Sequence, residues 1–201
     1  MPWKPDYITV VDANAFLRLP DSIDDAQVGT WVTAASRAID KRCNRQFGTI
    51  APTAAARVYR RPAVYDPVTG MWLLSIDDVQ DVTGMTVRGV AYASSGAVLL
   101  PDNAPADSVP WTALGFADRP DLSYAGAPAS VTVVARWGWT AVPAQVVVAA
   151  RLQVNRWAAR RDSPFGVSGS PTDGSELRLL AKLDPDVAVS LAGLSRPRRV
   201  G

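Results

Sequence analysis

Hydrophobic positions repeat with a helical period near both ends of the chain and with a shorter period between them. We predict a short helix over residues 12–20, capped by Asp12 and ended by Pro20, and a second helix over about residues 24–47, ended by Gly48. Apolar residues of the second helix recur every three or four positions, which places them on one face. They are Val28, Trp31, Val32, Ala35, Ala38, Ile39 and Cys43.

The period changes from Thr49 to Trp139. Short runs rich in Val, Tyr and Trp are separated by Pro, Gly, Asp and Asn, which predicts the strands of an antiparallel sheet. In the last run, Val131 and Val133 fall on one face. The predicted strands lie near Arg57–Arg60, Met71–Ile76, Thr86–Tyr92, Ala97–Leu100, Trp111–Phe116 and Ser130–Trp137.

The helical period returns at Pro143, which suits a first helical position because its missing N–H costs nothing there. This helix is predicted to run to about Arg161. One apolar stripe comprises Val147, Ala150, Val154, Trp157 and Ala158, and a second comprises Val148 and Leu152, so we expect burial on two sides. Further helices are predicted over residues 175–183 and after Pro185.

Helices at both ends with strands between them predict an α+β fold. Its core is a small α-helical bundle built from the N- and C-terminal parts, with an inserted antiparallel β-rich subdomain. The predicted parts are N-terminal helices over residues 1–48, the β-rich insertion over 49–140, C-terminal helices over 141–193, and a flexible basic tail over 194–201.

Composition excludes several kinds of active site. The 201 residues include no histidine and a single cysteine, Cys43, which excludes Ser-His-Asp and Cys-His catalysis, His-ligated metals, Cys-rich zinc sites and an internal disulfide. Cys43 lies on an apolar stripe, so we interpret it as a buried small hydrophobe. Asp77, Asp78 and Asp81 are interpreted as turn residues rather than a metal site. An enzyme working through carboxylates alone is disfavoured because Glu176 is the single glutamate, and we expect no cofactor.

Net charge is close to neutral, with 21 basic and 19 acidic residues. A general nucleic-acid binder of this size is usually far more basic. We expect no membrane-spanning segment, because the longest apolar run in the helical part is residues 146–150, far short of roughly 20 residues.

Two groups of arginines remain as candidate binding residues. Four of them, Arg151, Arg156, Arg160 and Arg161, crowd the end of the predicted helix. They suit a solvated face near the negative end of the helix dipole, and equally a contact with phosphates or with a partner's carboxylates. With the seven tryptophans, they also support a second hypothesis, a nucleic-acid-binding module, although core packing of the tryptophans is favoured. In the tail, Arg196, Arg198 and Arg199 suit either a docking peptide or a merely solubilising end.

The order of these pieces resembles the head–tail connector (adaptor) proteins of long-tailed bacteriophages and their prophage relatives. The front, YITVVDANAFLRLPDSIDDAQVGTWVTAASRAIDKRCNRQFG, is similar to that family's opening. The middle, LLSIDDVQDVTGMTVRGVAY followed by VLLPDNAP, is similar to its β insertion. The back joins RWGWTAVPAQVVVAARLQVNRWAARRDSPFGVSG to LDPDVAVSLAGLSRPRR, and it is the most specific part.

The resemblance implies a structural role without catalysis. Such proteins form a ring, usually of twelve copies, beneath the portal protein, where the ring extends the DNA channel and carries stopper or tail-completion proteins. Double-stranded DNA passes through such a ring without sequence-specific contact. The family's C-terminal segment engages the portal, a role that falls here on Arg196, Arg198 and Arg199. The four arginines of the predicted helix, Arg151, Arg156, Arg160 and Arg161, are candidates for ring or channel contacts. The implied location is the virion neck, after synthesis in the host cytoplasm. Another neck-ring protein, a stopper or a tail terminator, is the nearest alternative.

Overall fold

The computed structural model describes residues 5–18, 25–51, 53–60, 62–120, 130–161, 167–168, 177–178 and 185–196. Two compact units are present. One is built on Asp6–Gln46 with Val142–Arg198, and the other on Phe47–Ala141. The predicted α+β class is confirmed, because N- and C-terminal helices pack together and the antiparallel sheet is inserted between them in the sequence.

The helical unit contains four helices. They are α1 (Val10–Leu17), α2 (Asp25–Cys43), α3 (Ala144–Arg161) and α4 (Pro185–Ser190). Helix α3 packs against the other three, and α1 also packs against α2. Five of the six buried residues of α2 are on the predicted stripe, and the sixth is Ser36. The five are Val28, Val32, Ala35, Ile39 and Cys43. None of the helices in the described part of the chain is long and apolar enough to cross a membrane.

Both ends of the first helix differ from the prediction. Thr9, not Asp12, is the N-cap of α1: its hydroxyl accepts from the Asp12 N–H at 3.0 Å, and the Asp12 carboxylate accepts from the Thr9 N–H at 3.2 Å. Arg18 ends α1 in a left-handed conformation, two residues before the predicted stop at Pro20, which lies outside the described residues.

Helix α2 ends earlier than predicted, at Cys43 instead of near Phe47. Asn44 adopts a left-handed φ of 51°, and the Arg45 N–H donates back to the Asp40 carbonyl at 3.3 Å. This is the 6→1 bond of a Schellman motif, in which asparagine sometimes takes the place of the usual glycine. Gly48 therefore does not end this helix, although its φ of 73° is also positive.

The sheet unit is a seven-stranded antiparallel sheet. Its strands are β1 (Ala55–Tyr59), β2 (Val64–Asp66), β3 (Met71–Val87), β4 (Val90–Ala91), β5 (Ala97–Leu100), β6 (Trp111–Phe116) and β7 (Val131–Trp137), with a 3₁₀ turn over Tyr92–Ser94. The main order is β1-β7-β3-β6-β5, and β2 and β4 also pair with β3. The predicted bounds of β5 and β6 are confirmed, whereas β2 was missed and the predicted Thr86–Tyr92 strand is interrupted by a turn at residues 88–89.

Alternation along the strands builds the core of this unit. In β7, Val131, Val133, Ala135 and Trp137 are buried and the residues between them are partly exposed. The prediction that Val131 and Val133 share a face is confirmed. Strand β3 contributes Leu74, Ile76 and Val79 to the same cluster, and β6 contributes Leu114.

Three other predictions are wrong. Asp77, Asp78 and Asp81 are not turn residues, since all three lie within β3. Leu177–Arg178, predicted as helix, forms a short strand β9 that pairs with β8 (Val167–Ser168). Val148 of α3 is 45 % exposed, so the second stripe of that helix is not buried throughout. The helix predicted after Pro185 is confirmed as α4.

Candidate interaction site

The C-terminal segment returns to the end of α2. The backbone N–H of Arg196 donates to the carbonyl of Cys43 at 2.8 Å, and Nη1 of Arg45 donates to the carbonyl of Leu194 at 3.4 Å. The last carbonyls of a helix have no partner within the helix. Arg196 therefore supplies a partner for one of these carbonyls, that of Cys43.

Helix α4 brings the segment to this place. Val187 and Leu191 are fully buried and hold α4 in the helical unit. The chain then turns, with the Leu194 N–H donating to the Leu191 carbonyl at 3.2 Å and Gly193 at a φ of 80°, a conformation that glycine adopts without strain. Packed residues thus set the position of residues 194–196.

Cys43 is enclosed at the same site. Its side chain is fully buried, which confirms the interpretation as a small core residue. Burial raises the pKa of the Cys43 thiol, and the neighbouring Ser195 hydroxyl partly opposes this by a hydrogen bond. A thiol with a raised pKa is a poor nucleophile at neutral pH, so this arrangement suits a structural residue.

The structure describes one of the three tail arginines. Arg196 is half-buried, and its backbone is fixed at α2. Arg198 and Arg199 lie outside the described residues. The first three residues of the predicted flexible tail are held by hydrogen bonds, and the portal-docking role of Arg196, Arg198 and Arg199 stays a prediction.

The arginines of α3 do not form one stripe. At about 100° per residue, Arg160 lies about 180° around the helix from Arg151, while Arg156 and Arg160 share a face. Arg156 and Arg160 are half-buried, and the side chain of Arg161 is outside the described part. The helix therefore does not present these residues as one basic surface of the kind that a nucleic-acid backbone follows.

Arg151 faces the start of α1. Its Nη2 lies 4.0 Å from Oδ1 of Asp12, and both side chains are substantially exposed. The pKa of Asp12 is lowered chiefly by the Thr9 hydroxyl, with a smaller contribution from Arg151. An exposed ion pair at this distance contributes little to stability. Because the Arg151 side chain is exposed, its guanidinium is accessible to a partner.

An open groove of about 870 Å³ runs between the first residues of the helical unit and α2. Its α2 wall is made largely of small residues, among them Ala26, Gly29 and Thr33. Among the described lining residues, Asp6 alone carries a carboxylate, which accepts a hydrogen bond from the Thr33 hydroxyl at 2.8 Å. The groove offers shape and van der Waals contact, and the lining residues that the structure describes supply no acid–base pair.

The three aspartates of β3 have separate partners. Asp77 pairs with Arg57 at 2.7 Å, buried Asp78 accepts from the Trp139 indole N–H at 3.1 Å, and Asp81 pairs with Arg136 at 3.0 Å. Within the described ranges, no group of three or more His, Cys, Asp or Glu side chains is placed to hold a metal ion. These carboxylates stabilise the sheet unit.

The sequence did not indicate the contacts of Arg45 and Ser195. Arg45 was placed in a helix, yet it lies just beyond α2 and reaches a carbonyl 149 positions further along the chain. Nothing in the local pattern marks such a contact, because only the packing of α4 brings the two segments together.

Comparison with known proteins shows a likeness in fold. No protein-family model matches the chain, and no curated protein matches it in sequence. A chain from the neck of an empty gene transfer agent (GTA) particle, computed with C6 symmetry, aligns with a TM-score of 0.56 and 19 % identity, over 97 % of this chain and 92 % of that one. A chain from the neck of the native GTA particle, computed with C12 symmetry, aligns with a TM-score of 0.46 and 18 % identity, over 100 % and 98 %. The first likeness shows that the two chains share a fold over nearly their whole lengths.

Proposed function

We propose that this chain is a structural subunit of the neck of a phage-like particle, and more specifically the head-to-tail adaptor. In this proposal, copies of the chain form a ring, twelve in the particle, below the portal protein. The ring extends the channel for double-stranded DNA and carries the stopper or tail-completion proteins. The chain acts through its surfaces and transforms no substrate.

The observation that carries this proposal is the fold shared with a chain of the GTA neck over 97 % of this chain. Fold alone does not define function. It is supported by the family resemblance of the sequence segments and by the lining of the described groove, which supplies no acid–base pair. The near-neutral charge also suits a channel through which DNA must slide.

The anchored C-terminal segment supports the portal contact. Residues 194–196 are fixed at the end of α2, so the residues that follow start from a defined place on each subunit. A ring of such subunits presents Arg198 and Arg199 in every copy, and repeated weak contacts add up to a strong attachment.

Binding to portal-bearing capsids tests this contact. The double variant Arg198→Ala/Arg199→Ala is expected to weaken capsid binding by about tenfold or more and to leave thermal unfolding unchanged. Lys41→Ala/Arg42→Ala is the matched control, since it removes the same charge from exposed positions of α2. Equal capsid binding by both double variants would contradict the docking role of the tail.

The location in the particle tests the proposal as a whole. A reconstruction of the neck should place this chain directly against the portal. A position further from the portal would identify a stopper or a tail terminator instead, and a position outside the neck would overturn the proposal.

A further inference from the structure

The strands at the two ends of the main order, β1 and β5, have unlike outer edges. At the β5 edge, the Leu99 N–H donates to the Tyr92 hydroxyl at 3.2 Å, and the Ala97 N–H donates to the Ser95 hydroxyl at 3.3 Å. An exposed strand edge with unpaired N–H groups invites another strand. The two hydroxyls occupy these donors, so the β5 edge is closed.

The direction of the backbone groups in β7 fixes what the β1 edge offers. The Thr132 carbonyl accepts from the Arg88 N–H at 2.8 Å, so the backbone groups of Thr132 point towards β3. In an antiparallel ladder the N–H and C=O of one residue point to the same side, and successive residues alternate. The backbone N–H and C=O groups of Val131, Val133 and Ala135 therefore point towards β1.

Their partners in β1 are Tyr59, Arg57 and Ala55, whose backbone N–H and C=O groups must point towards β7 in return. The indole N–H of Trp137 also donates to the Ala55 carbonyl, at 2.7 Å, which agrees with this direction. The remaining residues, Ala56 and Val58, point their N–H and C=O groups away from the sheet. They have no hydrogen-bond partner among the residues that the structure describes.

A second open edge belongs to β2. Within the described part of the chain, β2 pairs with β3 alone, so its other side carries no strand. The hairpin formed by β2 and β3 exposes large apolar side chains: Val64 is 67 % exposed, Tyr65 51 % and Val68 91 %. Tyr65 packs against Trp72 with ring centroids 5.5 Å apart, which stiffens the hairpin.

We propose that the β1 edge of one copy of this chain pairs with the β2 edge of a second copy. The free backbone groups of Ala56 and Val58 are a template for a further strand, and β2 is a strand with an unused edge. Side chains agree with this choice. The exposed side chains of β1 are small or apolar, those of β2 are apolar, and Arg60 next to β1 is complementary in charge to Asp66 of β2.

The proposed contact joins two different edges, so every copy keeps one of each kind free for another neighbour. Such a heterologous contact repeats around a closed ring if the rotation between copies closes. This proposal rests on the proposed ring for that closure, and the edge contact itself is testable on the purified chain.

Substitutions at Val58 test the contact. Val58→Pro removes an N–H that points away from β7, so the ladder and the thermal unfolding should be unchanged while self-association weakens by about tenfold or more. Val58→Lys should weaken association to the same degree, because lysine at a strand edge opposes pairing. Val98→Lys, on the exposed face of the closed β5 edge, is the matched control and should associate as wild type. Sedimentation of the full chain over a concentration series gives the readout.

Cross-linking shows which edges meet. The double variant Val58→Cys/Val64→Cys, treated with a short bismaleimide, should give a ladder of dimers, trimers and larger species. Each single variant should stay monomeric on the gel, and an equal mixture of the two should stop at dimers. Wild type controls for Cys43, which is buried.

The results separate this inference from the neck function. Absence of the ladder at the highest soluble concentration, or equal association of Val58→Lys and Val98→Lys, overturns the edge contact even where the chain is found in the neck. A ladder from a chain that is found outside the neck supports the contact and overturns the neck function alone. If β1 instead pairs with a strand of another protein, cross-linking of particles would give a hetero-dimer and no ladder. That result too overturns the proposal.

Discussion

Tyr59 and Asp77 exchange two hydrogen bonds between β1 and β3. The Tyr59 hydroxyl donates to Oδ2 of Asp77 at 3.0 Å and accepts from the Asp77 backbone N–H at 3.0 Å. Arg57 pairs with the same carboxylate, and its guanidinium also lies 4.5 Å from the centroid of the Trp137 ring. The charge and the hydrogen-bonding groups of an aspartate inside a strand are thereby satisfied by partners on another strand.

We expect the stability of the sheet unit to fall at alkaline pH because of Tyr59. Burial, followed by the neighbouring Asp77 charge, raises the pKa of the Tyr59 hydroxyl above its usual 10.0. The folded state thus holds the proton more tightly than the unfolded state does. The stabilisation is fully present below that usual pKa and is lost as pH rises above it.

Tyr59→Phe should remove this alkaline loss. At about pH 7 it should cost 1–2 kcal/mol, because the partly buried Asp77 N–H loses its acceptor. Urea unfolding from about pH 7 to about pH 11 measures both effects. Tyr65→Phe, at a half-exposed tyrosine, is the control and should keep the wild-type slope. A wild-type slope in Tyr59→Phe would contradict the assignment.

Truncation distinguishes the anchor of the C-terminal segment from the residues beyond it. Deleting residues 197–201 should leave the free energy of unfolding unchanged. Deleting 194–201 removes the partners of the Cys43 carbonyl and of Arg45, which should cost about 1 kcal/mol. It should also raise the rate of Cys43 modification by a thiol reagent about tenfold or more, because local opening becomes easier. Equal rates in the two truncations would mean that the segment does not protect Cys43.

An added methyl group at Gly138 should be strongly destabilising. Its φ is 112°, and a Cβ there would lie 2.1 Å from the Gly48 carbonyl oxygen. Gly138→Ala should therefore cost about 3 kcal/mol or more. Gly89 has a φ of 80° and open space around it, so Gly89→Ala should cost only about 1 kcal/mol. Thermal unfolding of both variants checks the difference, and similar costs would show that the backbone yields at Gly138.

Periodicity predicted the elements whose burial is regular. The apolar stripe of α2 and the alternation in β7 follow directly from one buried face, and both were found from the sequence. Strand β2 was missed because it has three residues and no buried face, so it carries no alternation. The pattern of one face is visible in sequence only where that face is in the core.

Tertiary partners account for the wrong predictions. Asp77, Asp78 and Asp81 favour turns by local propensity, yet Arg57, Trp139 and Arg136 compensate them inside β3. The attachment of residues 194–196 to α2 was equally invisible, since its partners lie far away in the chain. Tertiary contacts override the local conformational preference of a residue where a distant side chain supplies an opposite charge or a hydrogen bond.

We expect the β5 edge to open when the two hydroxyls that close it are removed. Tyr92→Phe and Ser95→Ala each remove the hydroxyl that occupies an outward N–H, at Leu99 and Ala97 respectively.

The double variant should lose about 1–2 kcal/mol of stability and gain an open edge at β5, in addition to those of β1 and β2. Because β5 is an apolar strand, that edge should recruit further chains without closing a ring, so light scattering should rise steeply with protein concentration. Ser94→Ala, at the exposed neighbouring serine, removes the same atom without an N–H to release and should behave as wild type. If the double variant remains as soluble as Ser94→Ala, the two hydroxyls are not what keeps β5 from pairing, and the contrast between the β5 and β1 edges loses its physical basis.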